Sequence, residues 1–383
     1  MIEADVVVIG GGMAGASAAY EIAARRRVVL LEREQFCGYH STGRSAASFT
    51  ENYGNSVIRR IACASRRFFE LPPVGFSEVA LVAPRGILTV ARTDQVEMLA
   101  SALEEGRAFV PDLTEVDISA AIASVPILRP DYAARAFLEP RSRDIDVHAA
   151  HQAFLKGLKA RGGMLVNDAE VLALHRHDGH WNIQSKAGLF QAAAVVNAAG
   201  AWADIVAAAG GVRPIALMPK RRTAFSVDVP AGLDITRWPL VDDVAGQFYF
   251  KPDAGRLLVS PADATPSPPT DAQPEEIDVA IGIDRLQRAT TLAVQRVTHR
   301  WAGLRSFVAD GSPVVGWDDE VEGFFWLAAQ GGYGIKTAPA LARAAAELMA
   351  SDQLPNDLRE AGLDASDLAP SRCRAAESAL AAT

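Results

Sequence analysis

Residues 5–32 read DVVVIGGGMAGASAAYEIAARRRVVLLE, and this stretch decides the fold. Asp5 to Ile9 is a short β-branched run, the composition of a strand buried on both faces. Gly10 to Gly15 is a glycine-rich turn. Ala14 to Arg25 is alanine-rich and free of proline, so propensity favours a helix. Val28 to Leu31 is a second apolar strand, closed by Glu32. Strand, turn, helix and strand in that order make a βαβ unit. Its turn, Gly10-Gly11-Gly12-Met13-Ala14-Gly15, fits the dinucleotide spacing G-x-G-x-x-G. Gly10 permits the tight turn, Gly12 lets a pyrophosphate approach the backbone, and Gly15 lets helix pack on strand. Phosphates would sit at the helix N-terminus, around Met13 and Ala14, where free N–H groups and the dipole favour an anion. Glu32 stands where a carboxylate takes ribose hydroxyls, and an acid there argues against the 2′-phosphate of NADP. The competing reading is an ordinary glycine turn, and the flanking strand, helix and acid weigh against it.

Downstream, the same kind of unit recurs. Val147–Arg161 reads as a helix with Asp146 as N-cap, followed by strands at Gly163–Asn167, Leu172–Leu174, Trp181–Ser185 and Ala194–Asn197. The second and third of these join through a polar turn at Asp178-Gly179. Phe324–Ala328 reads as a buried strand that runs through glycines into a helix from about Thr337 to Met349. Between these pieces lie Gly86–Arg92, Thr223–Val229, Gln247–Lys251 and Leu257–Ser260, which read as strands of a different, antiparallel sheet. Pro261–Pro274 holds five prolines and reads as loop, and Ile277–Val297 as helix. The order predicts an α/β chain. Residues 1–80, 145–212 and 300–365 would form a discontinuous Rossmann-like cofactor domain, and 81–144 with 213–299 an inserted α+β substrate domain. Residues 366–383 read as a poorly ordered or loosely docked tail.

Composition narrows the function. The chain has 383 residues and a net charge of −8, which argues against a nucleic-acid partner. No run of about 18 apolar residues predicts a transmembrane helix. The acidic start and the scattered cysteines (Cys37, Cys63, Cys373) suit a reduced cytoplasm. His175, His177 and His180 flank the Asp178-Gly179 turn and read as an exposed hairpin, not a metal site. His148 and His151 share a helix face and read as polar surface. No metal is expected.

After Glu32 comes Cys37-Gly38-Tyr39-His40-Ser41-Thr42-Gly43-Arg44-Ser45-Ala46-Ala47, rich in small residues and hydroxyls, able to approach a large cofactor and bond its phosphate. This segment resembles the D-amino acid oxidase-like flavoproteins, which include glycine and sarcosine oxidases and bacterial D-amino acid dehydrogenases. So do Leu30–Glu34, Pro219–Arg222, Trp301–Phe307 and Ala329–Ile335. Within that family the likeness is strongest to the bacterial D-arginine dehydrogenases. The resemblance implies FAD, noncovalently held, since no cysteine falls at residues 305–316. It assigns cofactor contacts to Gly10, Gly12, Met13, Ala14, Gly15, Glu32, Arg33, Ser41, Thr42, Gly43, Arg44, Ser45, Ala46, Ala47, Ser48 and Val171. It extends them to Ala199, Gly200 and Trp202 of a second cofactor motif, Val195–Trp202. Gly331, Gly332, Tyr333, Gly334, Ile335, Lys336 and Thr337 complete the set, Lys336 standing near the flavin N1/C2 region.

For the substrate, the resemblance implies an amino acid whose α-carboxylate is held by Arg222 and Arg305, because a guanidinium fork matches a carboxylate in two parallel bonds. Tyr249 and Tyr53 would face it. The implied reaction is hydride transfer from Cα to the flavin, giving a 2-oxo acid and ammonia. Two departures stand out. Ser48 occupies a position where the nearest branch has histidine, which shifts any positioning role to Thr50, Tyr53 or water. Ile87 occupies a position where that branch has an acid for basic side chains. A pocket walled by Ile87 and Thr50 would favour apolar or neutral side chains. A secondary amine such as sarcosine or proline, a 2-hydroxy acid, a subunit of a larger dehydrogenase and a non-enzymatic flavin binder are the alternatives. Quinone and oxygen stay open as electron acceptors.

Overall fold

The structure is a computed structural model, and it describes residues 1–374. The first sheet forms where the sequence is most β-branched. Its parallel strands lie in the order Met164–Val166, Val28–Leu31, Ile2–Ile9, Gly188–Asn197 and Phe324–Ala328. The register aligns their carboxyl ends, with Ile9 opposite both Leu31 and Asn197, Leu31 opposite Val166, and Asn197 opposite Trp326. In an open parallel sheet a ligand binds outside that edge. A hairpin, Val171–His177 and His180–Ser185, extends the sheet through the first half of Gly188–Asn197, and Val314–Trp317 adds an antiparallel strand at the other side. Helices Met13–Ile22, Val147–Ala160 and Gly334–Ser351 cover one face around the core of Val6, Val8, Leu30, Phe154, Val196 and Leu341. Asp146 caps the middle one by accepting from Ala149 N at 2.8 Å.

The second sheet takes residues from the middle of the chain. Its order is Thr265–Pro266, Met218–Val227, Arg256–Ser260, Tyr249–Asp253, Leu240–Asp243, Ile87–Ala91, Arg135–Glu139 and Thr114–Val116. Val297–Phe307 pairs along the whole of Met218–Val227. All neighbours are antiparallel except Leu240–Asp243 with Ile87–Ala91. This is the α/β chain with an inserted antiparallel-sheet unit that the residue order implied, except that residues 300–307, assigned to the cofactor domain, form a strand of the second sheet. A small three-stranded sheet, Ser48–Phe49, Arg143–Ile145 and Val82–Pro84, lies at the crossings between the two.

Three expectations need correction. The helix read over Ile277–Val297 spans Glu276–Ala289, because Thr290 turns extended and its hydroxyl bonds back to Leu286 O at 2.8 Å. The last long helix begins at Gly334, one turn before Thr337, since the glycines ahead of it hid its start. The tail is docked as far as Arg374. Leu368 is fully buried, and Arg374 Nη2 donates to the buried Asp318 at 2.6 Å while also pairing with Asp319. Asp318 further accepts from Trp326 Nε1 at 2.9 Å, which ties the tail to the last parallel strand. Residues 375–383 of the expected tail lie outside the described residues.

Removing one member of a buried ion pair strands the other, at a cost of about 3 kcal/mol. Arg374→Ala should therefore lower the unfolding free energy of the FAD-loaded protein by that order, read as an earlier urea midpoint at unchanged m-value.

Candidate functional site

The carboxyl edge of the first sheet opens into a cleft of about 1600 Å³ including its mouth. Its floor is the glycine turn. Gly10 has φ of +108°, and a Cβ there would lie 2.4 Å from Ala198 O. A Cβ on Gly15 would lie 1.8 Å from Gly10 O, so these two glycines are closed by backbone. Gly12 differs. A Cβ there would meet only Thr42 Oγ1 at 3.3 Å, and the residue lines the cleft. It leaves a bare stretch of backbone facing the space at a helix N-terminus, which is the setting a pyrophosphate needs.

Of the residues assigned to the cofactor, Gly10, Gly12, Met13, Ala14, Glu32, Arg33, Ser41, Thr42, Arg44, Ser45, Ala46, Val171, Ala199, Gly200, Trp202, Gly331, Gly332, Gly334 and Ile335 line this one cleft. Gly15, Gly43, Ala47, Ser48, Tyr333, Lys336 and Thr337 do not line it, nor do Thr50 and Ile87. Glu32 is buried, and its carboxylate accepts from Gly11 N at 2.8 Å and Glu34 N at 2.9 Å. Burial raises its pKa and those two amides oppose the rise. Arg33 lies 4.7 Å over the Trp202 ring, and the His40 ring packs 4.6 Å from it at a tilt of 47°.

The Ser41–Ala47 loop is clamped to the second sheet. Ser41 Oγ donates to Leu304 O at 2.6 Å and Trp301 Nε1 donates to Arg44 O at 3.1 Å. Arg44 departs from its expected phosphate role: its guanidinium donates to Ala272 O at 2.9 Å and Ala302 O at 3.0 Å and pairs with Asp271. It fastens the proline-rich segment to the cleft wall.

Lys336 also departs from expectation. It is buried, and its Nζ donates to Thr50 O at 2.8 Å and Tyr53 O at 2.6 Å, away from the cleft. Burial lowers its pKa to about 7, against the pull of Glu139. The bonds that Lys336 donates go to those two carbonyls. His151, read as polar surface, is buried, and its Nε2 contacts Gly11 O at 2.8 Å beneath the glycine turn. His148 is exposed, and the His175–His180 segment is the hairpin its Asp-Gly turn implied.

At the inner end of the cleft stand Arg222, Arg305 and Tyr249. Arg222 is opposite Gly303 in the register and Lys220 opposite Arg305, so both arginines project from the same face of adjacent strands. Arg305 Nη1 donates to Tyr53 Oη at 3.5 Å, and Arg222 Nε donates to Asp263 O at 2.6 Å. Burial, then the like charge of Arg305, lower the pKa of Arg222, whereas burial of Arg305 is outweighed by Tyr53, Tyr249 and Tyr333, which raise it. A Cβ on Gly332 would lie 2.8 Å from Arg305 Nη1, so glycine there lets the guanidinium rest on the backbone. Tyr333 is held up to about 12 by burial and by Tyr53, a hydroxyl that donates but does not ionise near neutrality. Arg221 is taken by Glu275 and Asp278. Thr50 Oγ1 donates to Glu139 at 2.8 Å, and the Ser48 hydroxyl is buried with no partner. Ile87 is buried in the second sheet between Glu139 and Leu240. Among the described residues no group of three His, Cys, Asp or Glu could hold a metal, and no helix could cross a membrane.

With this geometry in place, the sequence matches the model of the family described as "FAD dependent oxidoreductase" (DAO) over residues 5–348. The chain belongs to that family. FAD is its cofactor, and the open Gly12 backbone, the Glu32 carboxylate and the long cleft fit it. The mitochondrial dimethylglycine dehydrogenase of Rattus norvegicus is 24% identical over 93% of this chain, which spans 44% of that protein. Glycine oxidase of Geobacillus kaustophilus is 24% identical over 92% of this chain and 95% of its own length. The fold overlays the FAD-bound L-α-glycerophosphate oxidase of Mycoplasma pneumoniae with a TM-score of 0.83 at 18% identity, covering 91% of this chain and 95% of that one.

Two outcomes follow. Gly12→Ala should fold with a near-native melting temperature yet bind FAD at least tenfold more weakly in a fluorescence titration, whereas Gly15→Ala should lose folded protein outright. An unfolded lysine holds its proton to about pH 10.5 but folded Lys336 only to about 7. Between those values the unfolded chain binds more protons, so stability should rise with pH from about 7 to 10. Lys336→Met should flatten that slope in urea titrations of the FAD-loaded protein.

Proposed function

We propose that this chain oxidises the amine-bearing carbon of a D-amino acid, yielding a 2-oxo acid and ammonia. The observation that carries the reading is the placement of two half-buried arginines, Arg222 and Arg305, with Tyr249 in the FAD cleft, beside the Gly331–Gly332 turn. Two guanidinium forks in one enclosed place call for a carboxylate. The sequence relatives named above act, by their names, on glycine and dimethylglycine, both small amines that bear one. The D configuration follows from the likeness of the Ser41–Ala47, Trp301–Phe307 and Ala329–Ile335 segments to D-amino acid dehydrogenases.

FAD, when bound, supplies the two-electron acceptor. The residues of the chain do the rest. Arg305 and Arg222 fix the carboxylate, and Tyr249 and Tyr53 close round it, which converts free encounter into one orientation of the Cα–H bond. Ser41 bonds to the Val297–Phe307 strand and Trp301 of that strand bonds back to Arg44, which holds the cofactor loop against that wall. The substrate ammonium must give its proton to water first, because only the free amine has a lone pair to form the imine. The Cα–H bond then breaks with its electron pair leaving, and water hydrolyses the imine. The rate should therefore rise with pH through one ionisation that is required in its basic form.

The reading is tested by anaerobic bleaching of the yellow FAD-loaded protein with D- and L-amino acids, sarcosine, proline and 2-hydroxy acids. D-amino acids should bleach it fastest, and bleaching by hydroxy acids or L-enantiomers alone would overturn the proposal. Arg305→Ala should raise the apparent KM by 100-fold or more, losing about 3 kcal/mol of charge-assisted binding, while FAD stays bound.

A further inference from the structure

The second sheet carries an acid with one unbonded oxygen, Asp242, on the face that meets the cleft. In the register, Asp242 pairs with Tyr249 on one side and with Thr89 on the other. Tyr249 lines the FAD cleft and pairs in turn with Ser260. Residues directly opposite each other in neighbouring strands project to the same side. Asp242 therefore shares the face of Tyr249, and Ile87, two residues before Thr89, shares it as well. So does Glu139, the register partner of Ile87. Three strand spacings separate Asp242 from the strand of Arg222, on the order of 14 Å of backbone. That span suits a carboxylate-binding fork at one end, a substrate in the middle and a second recognition point at the other.

Asp242 Oδ1 is closed off from solvent and has no hydrogen-bond partner. Burial pushes the carboxyl up to about 7; Thr89 opposes the rise, and Glu139 and Asp243 add to it. The neighbouring acid shows what a satisfied one looks like. Asp243 points to the other face and takes bonds from Gln95 at 3.3 Å, Tyr132 at 3.3 Å and the Ala245 amide at 3.0 Å. The nearby buried lysine, Lys336, is committed to the carbonyls of Thr50 and Tyr53. A buried acceptor left without a donor costs free energy, and a ligand that brings the donor recovers it.

We propose that Asp242 sets the side-chain specificity of this site by accepting a hydrogen bond from a donor on the far part of the substrate side chain. The enzyme then favours amino acids bearing N–H or O–H groups over apolar ones of like size. This deepens the proposed amino acid oxidation and rests on it. It also reverses the preference that Ile87 alone suggested, since Ile87 shares its sheet face with this acceptor.

The test compares FAD-loaded wild type with Asp242→Val and Asp242→Asn. Rates and KM of anaerobic flavin reduction are measured with D-glutamine, D-lysine, D-methionine and D-leucine. Wild type should prefer the first two over the last two by tenfold or more in kcat/KM. Asp242→Val should abolish or invert that ratio through KM, with the flavin spectrum unchanged. Asp242→Asn should keep D-glutamine and lose D-lysine, which separates a neutral donor from a cation, and it carries the test if the valine variant fails to fold. A wild type without the preference overturns the assignment, as does a preference that survives in both variants or an equal loss on all four substrates. If only L-amino acids bleach the flavin, the D-amino acid reading fails, and the same donor-to-apolar ratio in that series still decides Asp242. If nothing bleaches it, dissociation constants of the four compounds from flavin difference spectra decide in the same way.

Discussion

The structure hangs on one backbone contact, that of Gly15 against the carbonyl of Gly10. No Cβ fits between them, and Gly10 itself lies against Ala198 O. This contact seats the helix Met13–Ile22 directly on the ends of Ile2–Ile9 and Gly188–Asn197 and fixes where its N-terminus points. His151 supports the same turn from below through Gly11 O. Everything that a dinucleotide would touch is placed from here. Glu32 is reached through the register of Val28–Leu31, and Gly200 and Trp202 through the strand that ends at Asn197. The last parallel strand, which leads to the Gly331–Ile335 turn, aligns on that same strand.

The second sheet is held to this frame by few but specific bonds. Ser41 and Arg44 bond carbonyls of the Val297–Phe307 strand, and Trp301 returns a bond to Arg44 O. The strand that receives these bonds is the one that carries Arg305. Cofactor loop and carboxylate site are thus coupled through a single element, so that a shift of the loop would move the guanidinium. Arg44 is better explained by this coupling than by a phosphate, since its donors are already matched to two carbonyls and Asp271.

Much of the first sheet was legible in the sequence because its signals are local. Val28–Leu31 and Phe324–Ala328 coincide with their apolar runs, and the helix Val147–Ala160 begins where Asp146 caps it. The glycine spacing pointed to the right turn, and Arg222, Arg305 and Tyr249 do converge at one end of the cleft. What sequence could not give is direction. Lys336 and Arg44 are cations near a cofactor cleft, but their donors turn to backbone carbonyls 286 and 258 residues away in the chain, at Thr50 and Ala302. His151 sits on a helix face whose partner, Gly11, is 140 residues distant. Asp242 is the same case. Nothing in the sequence singles out Asp242-Asp243, and only the register of three strands shows that the two acids point opposite ways.

Ile87 and Asp242 then have to be weighed together. An apolar wall does not by itself select apolar side chains when a carboxyl group stands one strand away. It lowers the local dielectric, which raises the cost of an unpaired acceptor. Leaving a buried polar group unmatched costs about 1–3 kcal/mol, a factor of roughly 5 to 150 in affinity. A site built to bond a polar group rejects the analogue that lacks it more sharply than an apolar pocket rejects a missing methylene. The isoleucine therefore strengthens the demand of the acid instead of opposing it. Glu139 acts in the same sense, since a second buried acid nearby favours whatever brings a donor to Asp242.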